Sequence, residues 1–292
     1  MKKLFLLAIL AAFVFVGCSD DTTGTTPGDG SSAAPETYTQ KSFLEYFSGT
    51  WCPYCPDGKV YFENIRAKVG ENFSSAVYHR TSTYADYMDN IYDDAIDAKY
   101  AAGYPTGMVN RVGGVAVSRS GWEATVNQVL AQEAKCGLAI DASNKNGTTL
   151  DIAVKLGIGK EDMPAGNYFL TVLIIEDVVD QTGTGYDQRN AYNTTSGHAY
   201  FGKGDPIVGY EHTNVVRNVL TAALGDELTA DQVKGGTLST FNFTADVAGI
   251  GDDLDVVAFI SEATTNLANP AASTSFMYNV QRTDMGTNQD FD

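Results

Sequence analysis

The segment Thr50-Trp51-Cys52-Pro53-Tyr54-Cys55-Pro56 decides how the N-terminal half of the chain is interpreted. Two residues separate the cysteines, and on a first helical turn this spacing brings the sulfurs within disulfide range. The prolines agree with such a turn, because the first N–H groups of a helix have no partner within the helix. Those N–H groups and the positive end of the helix dipole favour a thiolate. We therefore predict that Cys52 is a nucleophile and that Cys55, one turn deeper, resolves the mixed disulfide.

The elements around this segment follow a defined order. Apolar runs predict strands, and apolar residues at helical spacing predict helices. The strands are expected over 42–47, 75–79, 107–112 and 114–117, and the helices over 59–69, 84–102 and 121–134. This α/β order, with Cys-x-x-Cys at the first helix and an X-Pro-Thr step before the strand pair, resembles the thioredoxin fold over residues 37–135.

The thioredoxin resemblance implies roles for further residues. The step Tyr104-Pro105-Thr106 resembles the cis-proline segment that faces the Cys pair and positions extended substrate backbone. Trp51 resembles the apolar residue beside the nucleophile. Glu45 resembles the buried acid that accepts the proton of the resolving cysteine. The connection from Glu45 to Cys52 is one residue longer than the common form, so a salt-bridged or exposed Glu45 is an open alternative.

The second half of the chain has a different pattern. From residue 137 onward, about seven short apolar or alternating runs are separated by Gly, Asn, Asp and Pro, with no strong helix. This pattern predicts an all-β antiparallel sandwich domain, Ig-like or jelly-roll-like, over residues 136–292. Residues 178–210 are polar, Gly-rich and aromatic without a period. They predict a long loop that is either functional or only an insertion.

The N-terminus predicts export and lipid anchoring. A basic start and an apolar run indicate a signal peptide over residues 1–17, and Val16-Gly17-Cys18 resembles a lipobox in which Cys18 is lipidated. An ordinary secretory signal is the open alternative. Residues 18–36, rich in Thr, Gly, Ser, Asp and Pro, predict a flexible tether. The acidic start of this tether resembles the export signal of Bacteroidetes surface lipoproteins, so surface exposure is an expectation. No later segment is apolar enough to span a bilayer, which leaves the lipid as the membrane contact.

Composition and cysteine count limit the partners. The formal charge is −17, from 19 Lys+Arg against 36 Asp+Glu, and it argues against nucleic-acid binding. A lone Cys-x-x-Cys is half a zinc site, but no second pair is present and the three histidines lie far apart. We therefore expect neither a metal nor a cofactor, and we expect Cys136 to be a buried small hydrophobe. The acids Asp86, Asp89, Asp93, Asp94 and Asp97 predict a solvated helix face.

Three stretches together resemble the Omp-twenty-eight-related outer-membrane lipoprotein family of Bacteroidetes: Leu44–Pro56, Pro105–Arg111 and His212–Arg217. The family implies a thioredoxin-like domain and a β-sandwich at the outer membrane. It implies little about activity, since its members have been regarded as surface antigens, adhesins or receptors.

Two functions stay open at this point. In the first, the Cys pair exchanges disulfides with client proteins of the envelope or cell surface. In the second, the protein binds an unknown extracellular ligand without turnover, and Cys52–Cys55 is a structural disulfide, as an oxidising compartment allows.

Overall fold

The computed structural model describes residues 33–264 and 274–292. The predicted signal peptide, the lipidation site Cys18 and most of the tether lie outside these residues. The helices are α1 (Cys55–Val69), α2 (Ile91–Tyr100) and α3 (Trp122–Leu130). The strands are β1 (Ser42–Ser48), β2 (Phe73–His79), β3 (Thr106–Val109), β4 (Cys136–Asn146), β5 (Thr149–Ile158), β6 (Tyr168–Val179), β7 (His212–Val219), β8 (Asp226–Glu227), β9 (Leu238–Asp246), β10 (Leu254–Thr264), β11 (Thr274–Asp284) and β12 (Asn288–Gln289).

A mixed eight-stranded sheet runs through the described part of the chain in the order β11-β10-β6-β7-β2-β1-β3, with β8 beside β6. Strand β1 is parallel to β2 and antiparallel to β3. Strand β2 joins β7 through one parallel pair, Val77 with Val215, and the Asn214 side chain donates to Ser75 Oγ next to it. Strands from both halves of the chain therefore share one sheet.

A second sheet, in the order β12-β4-β5-β9, is antiparallel throughout. It packs on one face of β6 and β10, and the alternating residues Val172 and Ile174 of β6 belong to the resulting core. The predicted sandwich would be self-contained. In the structure, the eight-stranded sheet that packs against the second sheet continues beyond β7 into β2, β1 and β3. Residues Ala33–Asp292 cluster as one unit. The division into 37–135 and 136–292 thus marks a change from mixed to all-β structure and remains a prediction as a domain boundary.

Alternation along β1 places two different surfaces on its two faces. All seven residues of Ser42–Ser48 are buried. Leu44 and Tyr46 face the core formed with α1 and α3, whereas Phe43 and Phe47 face the core formed with α2 and β10. Successive strand residues point to opposite faces, so this register decides which side chains of β1 meet the Cys pair.

Several predicted elements are shorter than expected, including the helix expected over 121–134, which ends at Leu130. The helix expected over 84–102 spans only α2, because the Asn90 side chain caps it by accepting hydrogen bonds from the amides of Tyr92 and Asp93. The expected strand pair over 107–117 is reduced to β3 and one bridge, Gly107 with Val117. Gly113 and Gly114 have φ of 79° and 71° and form a tight turn, which leaves too few extended residues for a second strand.

Candidate functional site

The Cys pair lies where the sequence predicts it, at the start of α1. Cys52 and Cys55 form a disulfide, Tyr54 occupies the N-cap position without a side-chain hydrogen bond to the helix, and Cys55 is the first residue of α1. Pro56 occupies the first turn, where its missing N–H costs no helical hydrogen bond. Both cysteines are only 2 % exposed. A thiol or thiolate from another protein therefore cannot reach either sulfur while the surrounding residues keep these positions.

The predicted substrate-positioning residues lie next to the pair. The Trp51 and Tyr104 rings meet edge to face with centroids 5.0 Å apart, and Trp51 Nε1 donates to Arg80 O at 2.6 Å. The peptide bond from Tyr104 to Pro105 is cis, as the resemblance implies. Thr106 begins β3 and pairs with Phe47 of β1. The structure thus brings residues 104–106 to the Trp51 side of the Cys segment.

Glu45 lies on the wrong face of the sheet for its predicted role. Its carboxylate accepts two hydrogen bonds from Arg111, at 2.7 and 2.8 Å, and one from Tyr78 OH at 3.3 Å. Arg111 in turn lies over the rings of Tyr100 and Phe259, in the α2 core. Glu45 and Arg111 thus form a buried ion pair. This geometry does not support the predicted transfer of the Cys55 proton to Glu45.

Tyr46 is the β1 residue on the Cys55 side. Its hydroxyl donates to Cys55 O at 2.7 Å, and burial raises the pKa of Tyr46 above its usual value. Glu45 and Tyr46 are consecutive residues of β1 and therefore point to opposite faces of the sheet. Because side chains alternate along a strand, a shift of one position moves the acid to the opposite face and a tyrosine to this one.

A long connection between β6 and β7, residues 180–211, covers the disulfide. We call it the capping loop. The buried amide of Gln188 lies within hydrogen-bond distance of three carbonyls of the Cys segment: Cys52 O at 2.8 Å, and Gly49 O and Thr50 O at 3.2 Å. Two backbone amides of the loop also donate hydrogen bonds to this segment. Arg189 N donates to Thr50 O at 2.8 Å, and Ala191 N donates to Pro53 O at 2.7 Å. These bonds run beside Cys52 and explain its burial.

A second contact fixes the capping loop to the first turn of α1. The Asp57 carboxylate is 2.9 Å from His198 Nε2 and also binds Arg119. The His198 ring stacks on Tyr192 at 3.9 Å, and Tyr192 meets Tyr54 edge to face at 6.0 Å. The predicted loop over 178–210 is therefore ordered and covers the Cys pair, and this contact could not be found from its sequence.

An acidic segment before α2 reaches the site from the other side. Asp86 and Asp93 are buried, not solvated as predicted, while Asp94 is exposed. Asp86 Oδ2 accepts a hydrogen bond from Thr50 N at 2.8 Å and lies 2.8 Å from Nδ1 of His79. Asp86 was misassigned because α2 begins only at residue 91, and Asp93, although it lies in α2, is buried because it accepts a hydrogen bond from the backbone N–H of His79.

Other sequence expectations concern metals and the remaining cysteine. Within residues 33–264 and 274–292, no group of three or more His, Cys, Asp or Glu side chains could hold a metal ion. No helix in the same ranges is long and apolar enough to cross a membrane. Cys136 is a buried free thiol, as predicted, and burial raises its pKa to about 12.

A family model described as outer membrane protein Omp28 matches residues 91–289, which is more than half of the chain. The protein belongs to the Omp28 family. The family predicted from the sequence is thereby confirmed. The Omp28 match begins after the Cys pair, so family membership does not by itself assign a role to Cys52 or Cys55.

Two solved structures resemble this Omp28 protein. HBP35 of Porphyromonas gingivalis superposes with a TM-score of 0.63 at 17 % identity, over 85 % of this chain and 76 % of that one. Protein AGR_C_4864 from Agrobacterium tumefaciens gives a TM-score of 0.52 at 14 % identity, over 87 % of this chain and 98 % of that one. At such identities the likeness concerns the fold. No curated protein matches the sequence.

Proposed function

We propose that this Omp28 protein is a lipid-anchored envelope protein that exchanges disulfides with exported proteins through Cys52 and Cys55. The observation that carries the proposal is the position of the pair: a disulfide at the first turn of α1, with Trp51 packed against Tyr104 of the 104–106 segment. The helix N-terminus favours a thiolate at Cys52 after reduction. A thioredoxin-like assignment of residues 37–135 belongs to the same proposal.

Lipidation of Cys18 and the tether over 18–36 would hold this site at the outer membrane. The family description, which names an outer membrane protein, supports that location. Its partners are then exported proteins that carry thiols or disulfides. No cofactor is needed, because the electrons pass between sulfur atoms.

Exchange requires the capping loop to leave Cys52. Loops open locally at a free-energy cost below that of global unfolding. The contacts next to Cys52 that must break are the hydrogen bonds of Gln188 and the two backbone bonds from Arg189 and Ala191, and a wider opening would also separate His198 from Asp57. A client would gain access to Cys52 in that open state.

Trapping of clients tests this function. In the mature chain, Cys55→Ser leaves Cys52 without its resolving partner, so the expected result is a mixed disulfide with a disulfide-containing client such as insulin. The matched control is the double variant Cys52→Ser/Cys55→Ser, which should trap nothing. A reduction potential well below about −300 mV, together with no trapped client, would show that the bridge is structural.

A second candidate is a surface binding protein in which the disulfide only holds the first turn of α1. The burial of both sulfurs favours it. A cavity of about 240 Å³ beside the site, lined by Trp51, Tyr84, Arg189 and Pro206, would be the ligand contact. This candidate predicts that Cys52→Ser/Cys55→Ser lowers stability but leaves ligand binding unchanged. Loss of binding with the thiols would contradict it.

A further inference from the structure

A small cavity with both polar and apolar walls lies beside Cys55. Its volume is about 10 Å³, close to the space of one water molecule. The side chains that line it include Cys55, Tyr46, Lys59, His79, His212 and Thr213. Thr213 Oγ1 is buried and makes no hydrogen bond within the described part of the chain. Because buried hydroxyls normally have a partner, this atom points to a bound water beside Cys55.

His79 enters the cavity wall already paired with a carboxylate. Its Nδ1 lies 2.8 Å from Asp86 Oδ2, and both residues are buried. Burial by itself raises the pKa of Asp86, but His79 and the amides of Thr50 and Met88 outweigh it and hold the pKa below its usual value. Asp86 is therefore ionised and accepts the Nδ1 proton. That bond leaves Nε2 of His79 to take up a proton, and the carboxylate stabilises the resulting cation.

The other polar groups facing His79 and the cavity are less suited to accept a proton. His212 Nε2 donates to Tyr186 O at 2.7 Å, and burial together with the nearby His79 lowers the pKa of His212 to about 3. The His212 ring centroid is 5.1 Å from that of His79. The hydrogen-bond partner of His212 is a neutral carbonyl, whereas the partner of His79 is a carboxylate.

The remaining neighbours of the cavity are donors, or acids turned to other partners. The hydroxyl of Tyr46 donates to Cys55 O, and Lys59 Nζ donates to Glu211 O at 2.7 Å. Tyr210 is a buried phenol whose pKa burial raises well above its usual value. Asp93 accepts from the backbone N–H of His79, not from its ring. Burial lowers the pKa of Lys59, while Glu63, 3.6 Å away, favours its charged form, and that cation would stabilise a Cys55 thiolate.

We propose that His79 is the proton acceptor for Cys55 during disulfide exchange and that Asp86 is the residue that positions it. The inference rests on the proposed function. In the mixed disulfide, Cys52 Sγ is bonded to a client sulfur and Cys55 is a thiol. His79 Nε2 takes the Cys55 proton through the cavity water. The thiolate attacks Cys52 Sγ, the Cys52–Cys55 bond forms, and the Cys52–client bond breaks. The client sulfur leaves as a thiolate and is reduced, while the two cysteines are oxidised.

Titration of the Cys55 thiol tests this role without any client. In a Cys18→Ala/Cys52→Ala/Cys136→Ala background, Cys55 is the one cysteine left in the sequence, and thiolate absorbance at 240 nm follows its deprotonation. The expected result is a midpoint at least one pH unit higher in His79→Gln than in the parent, which is at least a tenfold loss of thiolate at a given pH. The matched control His212→Gln should move the midpoint by less than a third of that amount.

An unchanged midpoint in His79→Gln, or a larger shift in His212→Gln, would overturn the proposal. If His79→Gln does not fold, the test uses the parent, and the ring-proton NMR signals of His79 are followed as the pH is raised. Those signals should shift at the pH at which Cys55 ionises, and signals that stay constant through that step would equally reject the role. If the titration behaves as expected but Cys55→Ser traps no client, the proton acceptor stands and the proposed exchange function fails.

Discussion

Gln188 provides the sharpest test of the capping loop. Its side-chain amide is buried and points at the carbonyls of Gly49, Thr50 and Cys52. Gln188→Met keeps the length of the side chain and removes both N–H donors, so it weakens the contact between the loop and the Cys segment without emptying the space. We expect the disulfide to become easier to reduce.

The size of the effect follows from the donor count. An amide NH2 has two protons, and Cys52 O at 2.8 Å and the carbonyls of Gly49, Thr50 and Arg189 at 3.2 Å compete for them, so two hydrogen bonds to the Cys segment are the upper limit. At about 1 kcal/mol net for each bond, the closed loop loses about 2 kcal/mol. Since about 1.4 kcal/mol corresponds to a factor of ten, the open population rises by about 30-fold. When opening is fast relative to reduction, the reduction rate rises by the same factor.

The assay is the rate at which dithiothreitol reduces Cys52–Cys55, read by alkylation and mass. Lys203→Ala, an exposed position in the same loop, should leave the rate at that of the parent. Arg111→Met is the second control, because it destabilises the fold away from the loop. Equal rates in the parent and Gln188→Met would refute a gating role for Gln188. Equal acceleration in Arg111→Met would show that reduction proceeds through global unfolding.

Three further results are expected. Arg111→Met leaves Glu45 as an unpaired buried charge and should lower the free energy of unfolding in urea by about 3–5 kcal/mol. The double variant Glu45→Leu/Arg111→Met should recover much of this loss. A loss below about 1 kcal/mol in Arg111→Met would contradict the prediction. His212, with a folded pKa of about 3 against 6.5, binds fewer protons folded than unfolded, so it contributes stability above pH 6.5 that is lost as the pH falls toward 3. Between pH 7 and pH 5 the parent should lose about 2 kcal/mol more than His212→Gln, at 1.36 kcal/mol per pH unit. Cys136 should resist iodoacetamide in the native protein and react in urea, because burial raises its pKa to about 12.

The predictions that agree with the structure rest on local sequence patterns. The apolar run of β1, the prolines around the cysteines and the Tyr104–Pro105 step each belong to a few consecutive residues. Such features depend on short-range sterics and hydrogen bonding, which a sequence displays directly. The predictions that were wrong concern contacts between residues that are far apart in the sequence. The strands of the second half join β2 through β7, and their apolar pattern would fit a separate sandwich equally well.

The sequence by itself determined that the two cysteines lie at the start of a helix and that a long polar loop precedes β7, while the cis bond before Pro105 followed only from the thioredoxin resemblance. It placed an acid near the cysteines but did not determine which face of β1 the acid occupies, because a shift of one residue along a strand moves a side chain to the opposite face. Only the tertiary structure decided that Glu45 pairs with Arg111, that Tyr46 and His79 meet the Cys55 side, and that Gln188 covers Cys52. These contacts join residues up to 136 positions apart, and the folded sheet, not any local pattern, brings them together.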